Sequence, residues 1–218
     1  MQITNDHKAL IEAAVPEVAF DGWTYKALDR AAETIGMNAL IARDYFPSGA
    51  TEMITVHSYL ADKAMIAAVT KDQMAELGTK KAIAALLTAR FEANQASKEA
   101  VRRAVAVLAL PTNAALASKL LFSTVDAVWI AVGDQSRDYN YYSKRMLLAA
   151  VYSSTLLIWL DDKSEDMKET RAFMDRRLNG VVSTFGRIGK LRSGMQKHFP
   201  NLPDPLGWIR APQKKWTD

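Results

Sequence analysis

Residues 24–49 read TYKALDRAAETIGMNALIARDYFPSG, and the punctuation in this stretch decides the fold. Thr24 is placed to cap a helix that runs to Ile35, where Gly36 breaks it; a short helix then spans about Asn38 to Tyr45 and ends ahead of Pro47. Working back, a first helix is expected from about Asn5 to Ala14, with Pro16 as its stop. Working forward from Ser48, the helices lengthen: about 51–74, 79–95 with Thr79 as cap, 97–109 with Ser97 as cap, 113–132 after Pro111, 139–160 and 163–185. Apolar residues recur every three to four positions and no strand-like alternation interrupts them, so the chain reads as all-α. The change in helix length marks a boundary near residue 50.

Composition agrees with one globular unit. The chain has 218 residues, 49% hydrophobic and 24% charged, with 10 Gly and 7 Pro, which suits a buried core and not a disordered or fibrous chain. The absence of cysteine removes disulfide frameworks, zinc ribbons, thiol nucleophiles and iron–sulfur ligation. The start, Met1 to His7, lacks a basic and apolar leader, so neither export nor organelle import is expected from it. Met146–Leu160 is the longest charge-free apolar run and falls short of the roughly 20 residues that span a bilayer. It reads as a buried helix.

The net charge of +4 is unevenly spread: residues 1–50 carry −3, residues 176–218 carry +7, and the middle is neutral. A basic tail is drawn to anionic lipid or to nucleic acid. Val181, Phe185, Ile188, Leu191, Met195 and Phe199 share one helical face, with Arg187, Lys190, Lys197 and His198 largely opposite and Arg192 an exception on the apolar side, which is the pattern of a helix lying at a membrane surface. Residues 200–218, with Pro203, Pro205, Trp208 and Trp216, read as an extended tail.

The helix, glycine turn and helix, followed by Tyr45-Phe46-Pro47-Ser48-Gly49, resemble the amino-terminal unit of tetracycline-repressor-type regulators over about residues 5–60. The resemblance implies a bundle of about nine to ten helices headed by a helix-turn-helix. In such a unit the short helix reads DNA with polar and basic side chains. Here that helix offers Leu40 and Ile41, which make no hydrogen bond to a base edge, and Asp44, which repels phosphate. With the acidic charge of the segment also opposing DNA, the helix-turn-helix is read as degenerate and no nucleic-acid partner is expected. A tetracycline-repressor-like transcriptional regulator is the alternative reading.

Catalytic constellations are sparse. His7, His57 and His198 are far apart, with no Glu-x-x-His spacing, and each reads as surface or cap. Gly186 to Lys190 ends in Gly-Lys, but Leu191 follows where a phosphate loop needs Ser or Thr. Asp161-Asp162 with Glu165 and Asp166 could bridge magnesium and a diphosphate, yet no facing acidic motif exists; the capping-box spacing of Asp162 and Glu165 reads better as a helix start. No metal, no cofactor and no catalysis are expected. Phe122, Trp129, Tyr152 and Trp159, on two helices after residue 112, suit either an ordinary core or the wall of a ligand cavity.

Asp138-Tyr139-Asn140-Tyr141-Tyr142-Ser143-Lys144-Arg145, followed by Leu148 to Thr155, is too particular for generic helix. With Phe20-Asp21-Gly22-Trp23, Thr124-Val125-Asp126-Ala127 and Phe173 to Arg177, it resembles the accessory lipid-binding family of ubiquinone (coenzyme Q) biosynthesis, the ninth of the pathway set, over about residues 8–185. The resemblance implies a protein that holds isoprenoid-quinone intermediates and supports a di-iron demethoxyubiquinone hydroxylase. It implies a hydroxylase-docking patch at Asp138, Tyr141, Tyr142 and Arg145, and a lipid cavity to which Phe122, Val125, Trp129, Tyr152, Leu156 and Trp159 are assigned. A membrane-surface helix would use Phe185, Ile188, Leu191, Met195 and Phe199. A homodimer through the last two long helices, and a bacterial cytoplasmic location at the inner face of the membrane, are expected. Four segments follow: a degenerate helix-turn-helix over 1–50, a lipid- and partner-binding core over 51–180, a membrane-surface helix over 181–199 and a tail over 200–218.

Overall fold

Thr4 starts the first helix: its hydroxyl accepts from the His7 backbone N–H at 3.4 Å, and the Thr4 N–H donates to the His7 ring at 3.2 Å. The computed structural model describes residues 2–134 and 139–180. Asp138 and every residue of the expected membrane helix and tail, among them Phe185, Ile188, Leu191, Met195 and Phe199, lie outside the described residues. Helix α1 (Asn5–Asp21) runs through Pro16, where a stop was expected. Pro16 removes one N–H, but it and Glu12, whose carbonyl loses that partner, are both exposed, so water can replace the bond. Leu10, Ile11, Ala14 and Val18 stay buried on the opposite face, and their packing on helix α2 (Tyr25–Thr34) outweighs the local loss.

Thr24 caps α2, as the sequence predicts, and Asn38, expected as the first residue of the short helix, instead caps helix α3 (Ala39–Asp44). The Tyr25 hydroxyl donates to the carbonyls of Phe46 (2.9 Å) and Pro47 (3.1 Å), fixing the corner into helix α4 (Ala50–Ala67). Gly49 sits in that corner at φ +57°, a conformation that favours glycine, while the Tyr25 ring, 3.5 Å from where a Cβ would stand, leaves ordinary contact room. α4 ends earlier than the expected 74. Thr70 and Gln73 form a capping box (2.9 and 3.2 Å) that starts helix α5 (Lys71–Ala93) instead. Gly78, at φ +71°, kinks α5 where a new helix was expected from Thr79.

A 3₁₀ turn (Gln95–Ser97) leads to helix α6 (Lys98–Leu108), another (Pro111–Asn113) to helix α7 (Ala114–Ala131), and helix α8 is Tyr139–Asp161. After a third 3₁₀ turn (Glu165–Met167), helix α9 covers 168–180. Among the described residues there is no strand. Two cores hold the bundle. The first gathers Leu10, Leu28, Phe46 and Met53 with Ala100 and Ala104 of α6, and the Trp23 indole N–H donates to the Ala100 carbonyl at 3.0 Å. The second gathers Leu86, Phe91, Val128, Trp159 and Met174 from α5, α7, α8 and α9. α4 threads both, through Met53 and Val56 in one and Met65 in the other.

Pro111–Ala131 is long and apolar enough to cross a membrane by length and composition, a stretch that counting charge-free runs passes over because Lys119 and Asp126 interrupt it. It packs on α4, α5 and α8 while leaving Phe122 and Ile130 exposed.

Candidate functional site

Between α4, α5, α6, α7 and α8 lies a cavity of about 210 Å³. On α7 the wall is Ala117, Leu120, Leu121 and Thr124, spaced as one helical face. That spacing turns Phe122 away: it is 41% exposed on the outer side of α7. Val125 is fully buried in the second core beside the cavity, and Trp129 is half-buried below the Lys144 ammonium, 5.3 Å from its ring centroid. Tyr152, Leu156 and Trp159 do line the cavity. The six residues assigned to lipid are therefore split, three on the cavity wall and three elsewhere on α7. Phe91 stacks on both Tyr152 (5.9 Å between centroids) and Trp159 (5.4 Å), forming an aromatic floor.

The deep end is polar. Arg90 donates from Nε to the Tyr152 hydroxyl (2.9 Å) and from Nη2 to Ser58 Oγ (3.2 Å), and its Nη1 lies 3.0 Å from Asp62 Oδ1. Thr124 donates to Asp62 Oδ2 at 3.3 Å. Burial pushes the Asp62 carboxyl above its ordinary range, against the opposing pull of Arg90 and the Thr124 hydroxyl. Burial also opposes the charge on Arg90, but Tyr152 and Asp62 outweigh it and raise its pKa. His57, expected at the surface or in a cap, is instead on the cavity wall, where burial and then Arg90 push its pKa down to about 4. It is a neutral imidazole at pH 7. His7 is a cap, and His198 lies outside the described residues.

A second cluster gathers where α8 begins. Arg145 is 3% exposed, so its guanidinium is not offered to a partner as the sequence reading had it. Its Nε donates to Asp126 at 2.6 Å, its Nη1 lies 3.5 Å from Asp134, and the guanidinium is 3.4 Å from the Tyr141 ring centroid. The Tyr141 hydroxyl donates to the same Asp126 oxygen at 3.3 Å. Tyr141 meets Tyr142 edge to face, 5.1 Å between centroids, and Tyr142 is 59% exposed beside Met146. Arg145 thus holds the aromatic pair from beneath, and Tyr142 is the part available for contact.

The remaining motifs are accounted for by local bonds. Leu40 is 70% exposed on α3, and Arg43 is clamped by both oxygens of Asp29, Nε at 2.9 Å, which ties up the one cation of the reading helix. The Asp162 carboxylate accepts from the N–H and hydroxyl of Ser164 and of Thr170, so it caps α9 through Thr170 and not through a box with Glu165. Those bonds, from Ser164 and then Thr170, overcome its burial and hold its pKa well below the usual carboxylate range. Among the described residues no group of three or more His, Cys, Asp or Glu could hold a metal ion.

A helical bundle with a helix-turn-helix head and a cavity bounded by its long helices is the architecture of the tetracycline-repressor-like proteins. The crystal structure of a TetR transcriptional regulator from Nitrosomonas europaea ATCC 19718 shares it, with a TM-score of 0.66 over 81% of this chain and 97% of that one at 21% identity. Residues 114–184 match the COQ9 family. The chain is 30% identical over 182 residues to "Ubiquinone biosynthesis protein COQ9, mitochondrial" of Rattus norvegicus, covering 80% of this chain and 58% of that protein. It is 29% identical over 181 residues to the Homo sapiens protein of the same name (80% and 57%), and 31% identical over 191 residues to COQ9-A of Xenopus laevis (84% and 60%). The chain is thus similar to the COQ9 proteins, most directly over residues 114–184, and it spans less than two thirds of the length of these relatives.

Proposed function

We propose that the protein is a non-catalytic, lipid-binding accessory of ubiquinone biosynthesis, which shelters an isoprenoid-quinone intermediate and passes it to a di-iron demethoxyubiquinone hydroxylase. The observation that carries this reading is the cavity between α4 and α8, with apolar walls and an aromatic floor, in a chain whose relatives are named for that pathway. Apolar burial supplies about 0.8 kcal/mol per CH₂ relative to water, so covering several carbons offsets the cost of holding a prenylated molecule outside the bilayer. The hydroxylase docks on the face presenting Tyr141 and Tyr142, with Asp138 at its edge in the sequence and Arg145 as support. Residues 181–199 bind the inner face of the membrane through Phe185, Ile188, Leu191, Met195 and Phe199, and a homodimer forms through α8 and α9.

The test is copurification. Tyr141 and Tyr142 replaced together by Ala should abolish capture of the hydroxylase while leaving the lipid bound, as read by mass spectrometry of the extract. Retained capture by a folded double variant refutes the docking face, and a protein carrying no prenylated quinone from a ubiquinone-producing host refutes the holding role.

A further inference from the structure

We infer that residues 208–216, Trp208-Ile209-Arg210-Ala211-Pro212-Gln213-Lys214-Lys215-Trp216, latch onto the outer face of α3 in the same chain, covering Leu40 and Ile41 and setting their cations against the acids around that helix. The latch is independent of the lipid-holding role. It joins two features that the proposed function leaves without a task, the degenerate reading helix and the tail.

The head of the molecule carries its surplus charge in one place. Every cation of residues 1–50 is matched: Lys8 by Glu12 (3.8 Å), Lys26 by Asp21 (2.8 Å), Arg30 by Glu17 and Asp21 (3.2 and 3.0 Å), and Arg43 by Asp29 (2.9 Å). Asp6, Glu33 and Asp44 are left with no cation among the described residues, and they make up the −3 of this segment. Asp44 is the last residue of α3, and Asp6 accepts from the hydroxyl of Tyr45, which follows it, at 2.6 Å. Glu33 precedes the turn that the Met37 N–H closes onto the Ala32 carbonyl (2.8 Å) just before α3. All three acids therefore border the same short helix.

Between them lies apolar surface. Leu40 is 70% exposed and Ile41 53%, and Asp44 follows them by four and three positions, so the three share the outer face of α3. Ile35, at the end of α2, is exposed as well. A single exposed leucine is ordinary, but adjacent branched side chains bordered by like charges form a patch that calls for a cover. The border selects that cover. An anionic bilayer or a phosphate backbone is repelled by it, whereas a cationic segment bearing apolar side chains is attracted.

Residues 208–216 have that chemistry. Arg210, Lys214 and Lys215 are three cations for three acids, with no acidic residue among them, and Trp208, Ile209 and Trp216 offer apolar surface to Leu40 and Ile41. Tryptophan and arginine are the side chains that most often anchor an interface. Pro212 in the middle opposes a continuous helix and suits a strip laid across α3. Reach is ample. The described part of α9 ends at residue 180, and residues 181–207 would span about 40 Å even at the helical rise of about 1.5 Å per residue, roughly the width of a domain of this size. A tether of that length keeps the segment at an effective concentration of about a millimolar, so a contact too weak to form between separate molecules is occupied within one.

The experiment measures one distance in the full-length chain, whose lack of cysteine lets Thr34→Cys and Gln213→Cys carry the only nitroxide labels. Thr34 is exposed at the end of α2, beside the patch. Pulsed electron resonance should show a narrow, short-distance population. Leu40→Ser with Ile41→Ser, or Glu33→Lys with Asp44→Lys, should cut its amplitude about threefold or more while circular dichroism melts stay at the parent value, since all four side chains are exposed. Arg210→Glu, Lys214→Glu and Lys215→Glu together should do the same. Combined with Glu33→Lys and Asp44→Lys they should restore the population, a rescue that no folding defect imitates. A broad distribution in the parent, or a narrow one indifferent to the head substitutions, overturns the latch. So does a narrow population that appears only with phosphatidylglycerol vesicles, which assigns the tail to lipid. One that fades after exchange with about tenfold unlabelled protein places the contact between copies and overturns it too.

Discussion

The Arg145 guanidinium lies 3.4 Å from the centroid of the Tyr141 ring, and both residues converge on one oxygen of Asp126, Arg145 at 2.6 Å and Tyr141 at 3.3 Å. Position and support are thereby divided between neighbours: the buried cation sets the rings, and Tyr142 next door meets the outside. Arg145→Met should consequently lower stability by about 2–4 kcal/mol, because Asp126 and Asp134 lose a buried partner. Tyr142→Ala should change it by less than about 0.5 kcal/mol, as expected of an exposed side chain. Thermal melts of the two variants separate support from contact.

His57 sets a pH dependence. Its folded pKa of about 4 lies below the ordinary 6.5, so the unfolded chain binds the proton more readily. The contribution is fully present above pH 6.5 and is lost as pH falls through the folded value near 4, up to roughly 3 kcal/mol in all. Urea midpoints between pH 7 and pH 4 should fall less steeply for His57→Phe than for the parent.

Pro16→Ala should stabilise the protein. Proline in a helix interior is about 3 kcal/mol less favourable than alanine, and part of that returns through the looser unfolded chain, leaving a gain of about 1–2 kcal/mol. A higher denaturant midpoint with an unchanged slope is the expected readout.

Asp162→Ala should release the start of α9, since one carboxylate serves both Ser164 and Thr170. A loss of about 2 kcal/mol is expected, with faster hydrogen exchange confined to the first turn of 168–180. Magnesium should not alter the melting of the parent, because both Asp162 oxygens are engaged by protein donors.

Caps and corners were the most legible features. Thr24, Asn38 and the Tyr45 to Gly49 corner locate α2, α3 and the entry to α4 from residue type alone. Pro16 misled because a local breaker was weighed without the packing of Leu10 and Val18 that overrides it, and Thr70 with Gln73 was a readable capping box inside what looked like one long helix. The cavity was half legible. Aromatic residue type singles out Phe122 and Trp129, but the face of α7 that lines the cavity is set by Leu121 and Thr124. The clearer signal was a misplaced charge: Arg90 continues the apolar row Ile83, Leu86, Leu87, and Asp62 continues Ile54, Ala61, Met65, so two helices each carry one ion on a buried face. Opposite ions on buried faces announce each other, yet pairing them requires knowing that α4 lies against α5.

Trp159 is fully buried in the cavity wall, its indole N–H directed to Gln95 Oε1 at 2.9 Å and to the Met167 sulfur at 3.2 Å. The chain therefore carries its own optical gauge of occupancy. A quinone held there, as proposed above, would accept its excitation energy and darken its emission, so loading and hand-over could be timed in a stopped-flow instrument without attaching any dye, with Trp159→Phe separating this signal from the other four tryptophans.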